Sequence, residues 1–250
     1  MELTVLGRYA PYPAPGGAVN GYLVRHGATT LLLDAGNGVA SRLLQRLPIE
    51  ALTAVVVSHL HEDHIADLHC LRFAQLEAQM TGRTRAKLQV YAPPEPSEQH
   101  HWIEGGEEWQ DLHAYTPEQP LILGELQVTF TRTNHPYLCY AMRITPVAQA
   151  GPVLFYTADT GISPEVQAAA AGADLIVAEA SLIEEHAHKR KFGHLTAAEA
   201  AAFARDAGAK RALLTHIWPG LVRPEQLLDE ARPVHAGVEL AEEGQTYQVE

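Results

Sequence analysis

Ser58-His59-Leu60-His61-Glu62-Asp63-His64 places three histidines and an aspartate within six residues, directly after the apolar run Val55-Val56-Val57. Imidazole nitrogens and carboxylate oxygens together suit zinc, manganese or iron. Two ligands separated by one residue point the same way in an extended segment, because side chains there alternate with a period of two. His59 and His61 can therefore hold one ion. Asp63 and His64, past the turn where a helix starts, can reach a second. The bland alternative is a patch of solvated surface histidines, a risk that every motif match carries.

Outward from this stretch the chain reads as α/β. Leu31-Leu32-Leu33, Val55-Val56-Val57, Val153-Leu154-Phe155 and Leu175-Ile176-Val177 are short apolar runs, the pattern of strands buried on both faces. Leu126, Val128 and Phe130 alternate with polar residues and predict a half-exposed strand. Phe73, Leu76 and Met80, at i, i+3 and i+7, predict a helix with those three on its apolar face. Thr196-Ala197-Ala198-Glu199 is a capping box, opening an alanine-rich helix that Gly208 ends. Strands in both halves, with helices among them, predict a two-sheet sandwich covered by helices, with residues 1–250 as one domain. The stretches around Ala92-Pro93-Pro94 and Gly105-Gly106 read as insertions.

Composition narrows the class. The 250 residues are 46% hydrophobic and 19% charged, which excludes wholesale disorder. No apolar run approaches the roughly 18 residues of a membrane span. The opening Met1-Glu2-Leu3-Thr4 lacks a basic stretch followed by an apolar one. Cys70 and Cys139 are too few for a disulfide framework, so a reducing cytoplasm is the expected location. The net charge of −12 argues against nonspecific attraction to nucleic acid or to an anionic membrane.

Three further candidates sit where predicted strands end. His135 follows the 126–130 strand, Asp159 the 153–158 strand, and His216 the run Leu213-Leu214-Thr215. Ligands of open α/β sheets gather at the carboxyl ends of strands, so this placement is what one shared site requires.

In that order, His59-x-His61-x-Asp63-His64, His135, Asp159 and His216 resemble the metallo-β-lactamase superfamily of binuclear metal hydrolases. Leu6-Gly7 and Asp34-Ala35-Gly36-Asn37-Gly38 look like its N-terminal signatures, and the likeness covers nearly the whole chain. It implies an αββα four-layer sandwich, two mixed sheets flanked by helices, with a metal cleft along one edge. It assigns His59, His61 and His135 to one divalent ion and Asp63, His64 and His216 to another, with Asp159 bridging. Zinc is the expected metal, with manganese and iron as alternatives. Asp159 stands where true β-lactamases carry cysteine, and His61 where the diiron oxygen-reducing members carry glutamate.

Gly193-His194-Leu195-Thr196, Asp174 to Ala180, and Tyr140-Ala141-Met142-Arg143 are similar to the ribonuclease Z and phosphodiesterase branch. The long basic arm of ribonuclease Z is missing, as are the structural-zinc cysteines of the phosphonate-pathway phosphodiesterases. The resemblance therefore implies a phosphodiesterase for small or cyclic phosphodiesters or RNA ends. A tRNA 3′-processing endoribonuclease and a thioester or lactone hydrolase are the alternatives. A hydroxide shared by two ions about 3.5–4 Å apart would attack phosphorus. Asp63 would take or orient the water's proton, and His194, oriented by Glu179, would protonate the leaving oxygen. Asp34 reads as support for the ligand loops. A homodimer is the branch's usual state. His186 to Lys191 reads as a solvated loop or a phosphate contact, and Trp218 as a cleft wall or core.

Overall fold

The computed structural model describes residues 1–148 and 151–250. In chain order its elements are β1 (Glu2–Gly7), β2 (Gly21–His26), β3 (Thr29–Leu33), α1 (Val39–Leu44), β4 (Ala54–Val56), α2 (Glu62–Ile65), α3 (Leu68–Met80), β5 (Leu88–Ala92), α4 (Ser97–Ile103) and β6 (Gln110–Ala114). The second half holds β7 (Leu121–Leu123), β8 (Leu126–Arg132), β9 (Tyr140–Pro146), β10 (Leu154–Tyr156), α5 (Pro164–Ala169), β11 (Leu175–Glu179), α6 (Ala197–Asp206), β12 (Arg211–Thr215), α7 (Pro224–Ala231), β13 (Val238–Leu240) and β14 (Thr246–Gln248).

The strands form two seven-stranded sheets, ordered β14-β1-β2-β3-β4-β5-β6 and β13-β12-β11-β10-β9-β8-β7. Both are mixed on the same plan. In the first, pairs from β14 to β3 are antiparallel and pairs from β3 to β6 are parallel. In the second, β7 to β10 are antiparallel and β10 to β13 parallel. One core joins the inner faces, with Leu31, Leu33 and Val56 packed among Val128, Tyr156 and Val177. A second lies under α5, α6 and α7, and a third under α1 and α3. Helices thus cover the outer face of each sheet. The expected apolar runs are buried apart from half-buried Val153, and β8 alternates buried and half-buried residues as its pattern predicts. Among the described residues no helix is long and apolar enough to cross a membrane.

Two expectations are corrected. Helix α3 forms, but it buries Leu68, Leu71, Gln75 and Ala78, and leaves Phe73 58% and Met80 79% exposed. Both stripes have helical spacing. The core takes the one whose single polar member is satisfied, since Gln75 Nε2 donates to the Ala86 carbonyl at 2.6 Å. Phe73 instead lies beside Trp109, under the Arg72 guanidinium. The supposed insertions belong to the first sheet. Ala92 ends β5, which pairs parallel with β4, and α4 crosses over to β6.

The capping box of α6 is present, with Thr196 Oγ1 accepting from Glu199 N (3.2 Å) and Glu199 Oε2 accepting from Thr196 N (2.9 Å). It fixes the chain two residues after His194.

Candidate metal centre

The parallel strands deliver their carboxyl ends to one edge of the sandwich. Asp34 follows β3, Ser58 and His59 follow β4, Asp159 follows β10, Glu179 ends β11 and His216 follows β12. His135 comes from the β8–β9 loop, while Asp63 and His64 lie in α2. Among the described residues, those other than glycine with left-handed backbone are Asp34 (φ 56°), Ala158 (φ 49°) and His216 (φ 59°), and all belong to these strand ends. Such a conformation costs about 1 kcal/mol or more for a residue with a Cβ. Gly36 serves another need, since a Cβ there would stand 2.3 Å from the Asp63 carbonyl.

All seven expected ligands come together. Single donor atoms of His59, His61, His135 and Asp159 lie within 4.8 Å of one another, and so do those of Asp63, His64 and His216. Asp159 stands between the two groups. Its Oδ2 is 3.7 Å from His59 Nε2, 3.9 Å from His135 Nε2 and 3.1 Å from His216 Nε2, while its Oδ1 is 3.4 Å from His64 Nε2. Asp63 Oδ2 lies 3.7 Å from both His64 Nε2 and His216 Nε2.

The donor set fits divalent cations on a further observation. His64 Nε2, His216 Nε2 and Asp159 Oδ1 are buried without a hydrogen-bond partner. Buried polar atoms are nearly always paired, so three facing orphans mark a place for a cation. Electrostatics agree. Burial lowers the His59, His61 and His135 imidazoles, His135 to about 4. At His216 burial is outweighed by Asp159, which raises it to about 10, and at His64 by Asp159, Asp63 and Asp34, which raise it strongly. Asp159 and Asp63 are likewise held below the usual carboxylate range against burial, by His216 and His64. These carboxylates demand positive charge in the cleft.

Behind the ligands stand residues that the sequence reading only partly named. Asp34, fully buried, accepts from Ser58 N (2.7 Å), Ser58 Oγ (2.9 Å), Tyr156 OH (2.7 Å) and His64 Nδ1 (2.7 Å). The Ser58 hydroxyl, having given its proton to Asp34, accepts from His59 Nδ1 at 3.0 Å. In the neutral form that a cation requires, each of these imidazoles thereby keeps its one proton on Nδ1 and its Nε2 lone pair toward the cleft. Glu179, expected beside His194, accepts its Nδ1 at 3.0 Å and also bonds Ser181. His135 has no such acceptor; its Nδ1 takes the Tyr137 N–H at 3.3 Å. Ser58, Ser181 and Tyr156 carry no spacing signal, and only the fold brings them here.

Two aromatic rings border the cleft. Tyr137 packs 3.8 Å from the His61 ring, and Trp218 stands edge-on 5.4 Å from His194. Trp218 is thus a wall. In the segment Glu184–Phe192, Arg190 is tied to Glu184 (2.9 Å) and Glu199 (2.7 Å), so its charge is already matched. His100 and His101 pair with Glu104 away from the cleft, and His113 bonds Gln89.

A family model described as the beta-lactamase superfamily domain matches residues 29–217, which span all seven expected ligands. The probable metallo-hydrolase YhfI of Bacillus subtilis is 36% identical over 245 residues, covering 98% of each chain. The crystal structure of YhfI, titled a metallo-β-lactamase fold protein, matches at a TM-score of 0.91 and 34% identity, again over 98% of each chain. A ribonuclease Z of Methanopyrus kandleri is 28% identical over 276 residues, covering 98% of this chain and 96% of that one. A diphosphatase of the PhnP family matches at a TM-score of 0.77 and 20% identity over 100% of this chain and 98% of the other, which shows the fold alone. With its two mixed sheets, helical outer layers and strand-end cleft, the chain belongs to the β-lactamase superfamily and has the metallo-β-lactamase fold.

Proposed function

We propose that residues 1–250 act as one metal-dependent hydrolase, a phosphodiesterase for small or cyclic phosphodiesters or RNA ends. His59, His61 and His135 would hold one divalent cation and Asp63, His64 and His216 the other, with Asp159 between them. Zinc suits the imidazole-rich set, and manganese or iron are accepted by the same donors. The observation that carries the reading is the convergence of these seven side chains beside the His194–Glu179 pair. Relatives named as a metallo-hydrolase and as ribonuclease Z support it.

When bound, two such cations make water nucleophilic at neutral pH and neutralise charge on phosphoryl oxygens. The chain's own groups supply the proton chemistry and the positioning. Asp63 Oδ2 faces His64 and His216, which leaves Oδ1 to take the proton of the attacking water. His194 is held at Nδ1 by Glu179, so Nε2 is the atom that protonates the leaving oxygen. Tyr137, against His61, and Trp218, against His194, offer flat apolar faces beside the ligands.

The ribonuclease Z relative favours a second reading, cleavage at the 3′ end of tRNA. The net charge of −12 counts against it, because tRNA binding needs many phosphate contacts.

The deciding experiment is hydrolysis of bis(4-nitrophenyl) phosphate by zinc- or manganese-loaded protein, beside Asp63→Ala and His194→Ala. Activity in the wild type and losses of about 100-fold or more in both variants are expected. An inactive wild type carrying two bound ions would defeat the phosphodiester reading and turn attention to thioesters and lactones.

A further inference from the structure

Glu179 does more than orient His194. Its carboxylate, 1% exposed, gathers five donors. Oε1 accepts from Thr160 N (3.3 Å), His194 Nδ1 (3.0 Å) and Leu195 N (3.1 Å). Oε2 accepts from Ser181 N (3.1 Å) and Ser181 Oγ (2.8 Å). On its far side the same hydroxyl lies 2.7 Å from His216 Nδ1.

Counting protons fixes the direction of these bonds. A serine hydroxyl has one proton and two lone pairs, and an ionised carboxylate has only lone pairs. Ser181 therefore donates to Glu179, and His216 Nδ1 must donate to Ser181. In the neutral ring that a cation requires, that bond keeps the proton on Nδ1 and the lone pair on Nε2, the buried orphan beside Asp159 and Asp63. One carboxylate so orients two imidazoles, His194 directly and His216 through a hydroxyl. The two rings stack at 5.2 Å with planes 27° apart.

We propose that Ser181 is a positioning residue for the cation held by Asp63, His64 and His216, and that the Glu179–Ser181 fork couples this cation site to His194. The inference rests on the two-cation reading above. It does not depend on the substrate. Without the hydroxyl, His216 loses the acceptor that keeps its proton on Nδ1, and its lone pair is no longer reserved for the cleft. Among the described residues Ser181 makes side-chain hydrogen bonds only with Glu179 and His216 and none with His59, His61 or His135, so the effect falls chiefly on one of two cations.

The test is zinc titration of the metal-free protein against a chromogenic chelator, with Ser181→Ala, Ser181→Cys and Ser181→Thr. Loss of an outer hydrogen-bond partner weakens a metal site by roughly 10- to 100-fold. Ser181→Ala should weaken one zinc by that factor and leave the other unchanged. Ser181→Cys, close in volume but a poor acceptor, should do the same, and it carries the test if the alanine variant fails to fold. Ser181→Thr keeps the hydroxyl and should stay close to wild type. Wild-type affinity at both sites in the alanine or cysteine variant, equal weakening at both sites, or a threonine variant as weak as alanine would overturn the proposal. Failure of the phosphodiesterase reading would appear only in turnover, whereas failure of this inference appears in zinc affinity.

Discussion

Asp34→Asn removes a charge at the base of the cleft and almost nothing else. The side chain keeps its shape, and asparagine adopts the left-handed backbone of this position (φ 56°) as readily as aspartate does. The carboxylate accepts four bonds, one at Oδ1 from Ser58 N and three at Oδ2 from Ser58 Oγ, Tyr156 OH and His64 Nδ1. Asparagine has a single acceptor oxygen. Its best orientation leaves that oxygen with the three donors and turns its amide nitrogen toward the Ser58 N–H. The Ser58 N–H is then orphaned beside the new amide N–H groups, at a cost of at least about 1–3 kcal/mol, and three bonds lose an ionised acceptor at about 1 kcal/mol each. The smaller desolvation cost of an amide offsets part of this sum, leaving an expected loss of about 3–5 kcal/mol, the range for a broken buried pair. Urea unfolding of the metal-free protein measures it, and chelator competition should show zinc bound about 10- to 100-fold more weakly. A variant within about 1 kcal/mol of wild type, binding zinc unchanged, would refute this reading of Asp34.

Other perturbations probe neighbouring links. Tyr156→Phe deletes one bond to the Asp34 carboxylate and should destabilise by about 1.5–3 kcal/mol in the same urea assay, with zinc binding less affected than in Asp34→Asn. Thr196→Ala breaks the capping box of α6 and should cost about 1 kcal/mol, with a loss of activity if the helix start sets His194; melting temperature and turnover separate the two effects. Asp67→Ala removes the carboxylate that accepts from Ala40 N at 2.8 Å, where Gly38 offers α1 no side-chain cap, and should cost about 1–2 kcal/mol by urea unfolding. Zinc at 100 times its dissociation constant should stabilise the fold by about 2.7 kcal/mol for each site filled, and chelation should reverse this together with activity; a melting temperature indifferent to zinc would contradict the site.

The sequence showed the site more fully than the scaffold behind it. His59, His61, Asp63 and His64 were legible because they are contiguous and follow an apolar strand. His135, Asp159 and His216 were legible because each follows a strand. Ser58, Ser181 and Tyr156 were not, since a lone hydroxyl has no periodicity, and its partner lies up to 122 residues away. The face of α3 was misread because two stripes share helical spacing and only the partner for Gln75 decides between them. The edge strand β6 escaped because its burial fades from Gln110 to the exposed His113 and Ala114, leaving no apolar run to read.

Metal content per chain tests the centre most directly. Wild-type protein and Asp159→Ala would each be stripped, reloaded with zinc, freed of excess and analysed by mass spectrometry of the element. Two zinc ions per wild-type chain are expected, with fewer in the variant, because the Asp159 carboxylate lies against ligands of both groups. One ion or none in the wild type, or two retained by Asp159→Ala, would contradict a two-cation centre built on these residues.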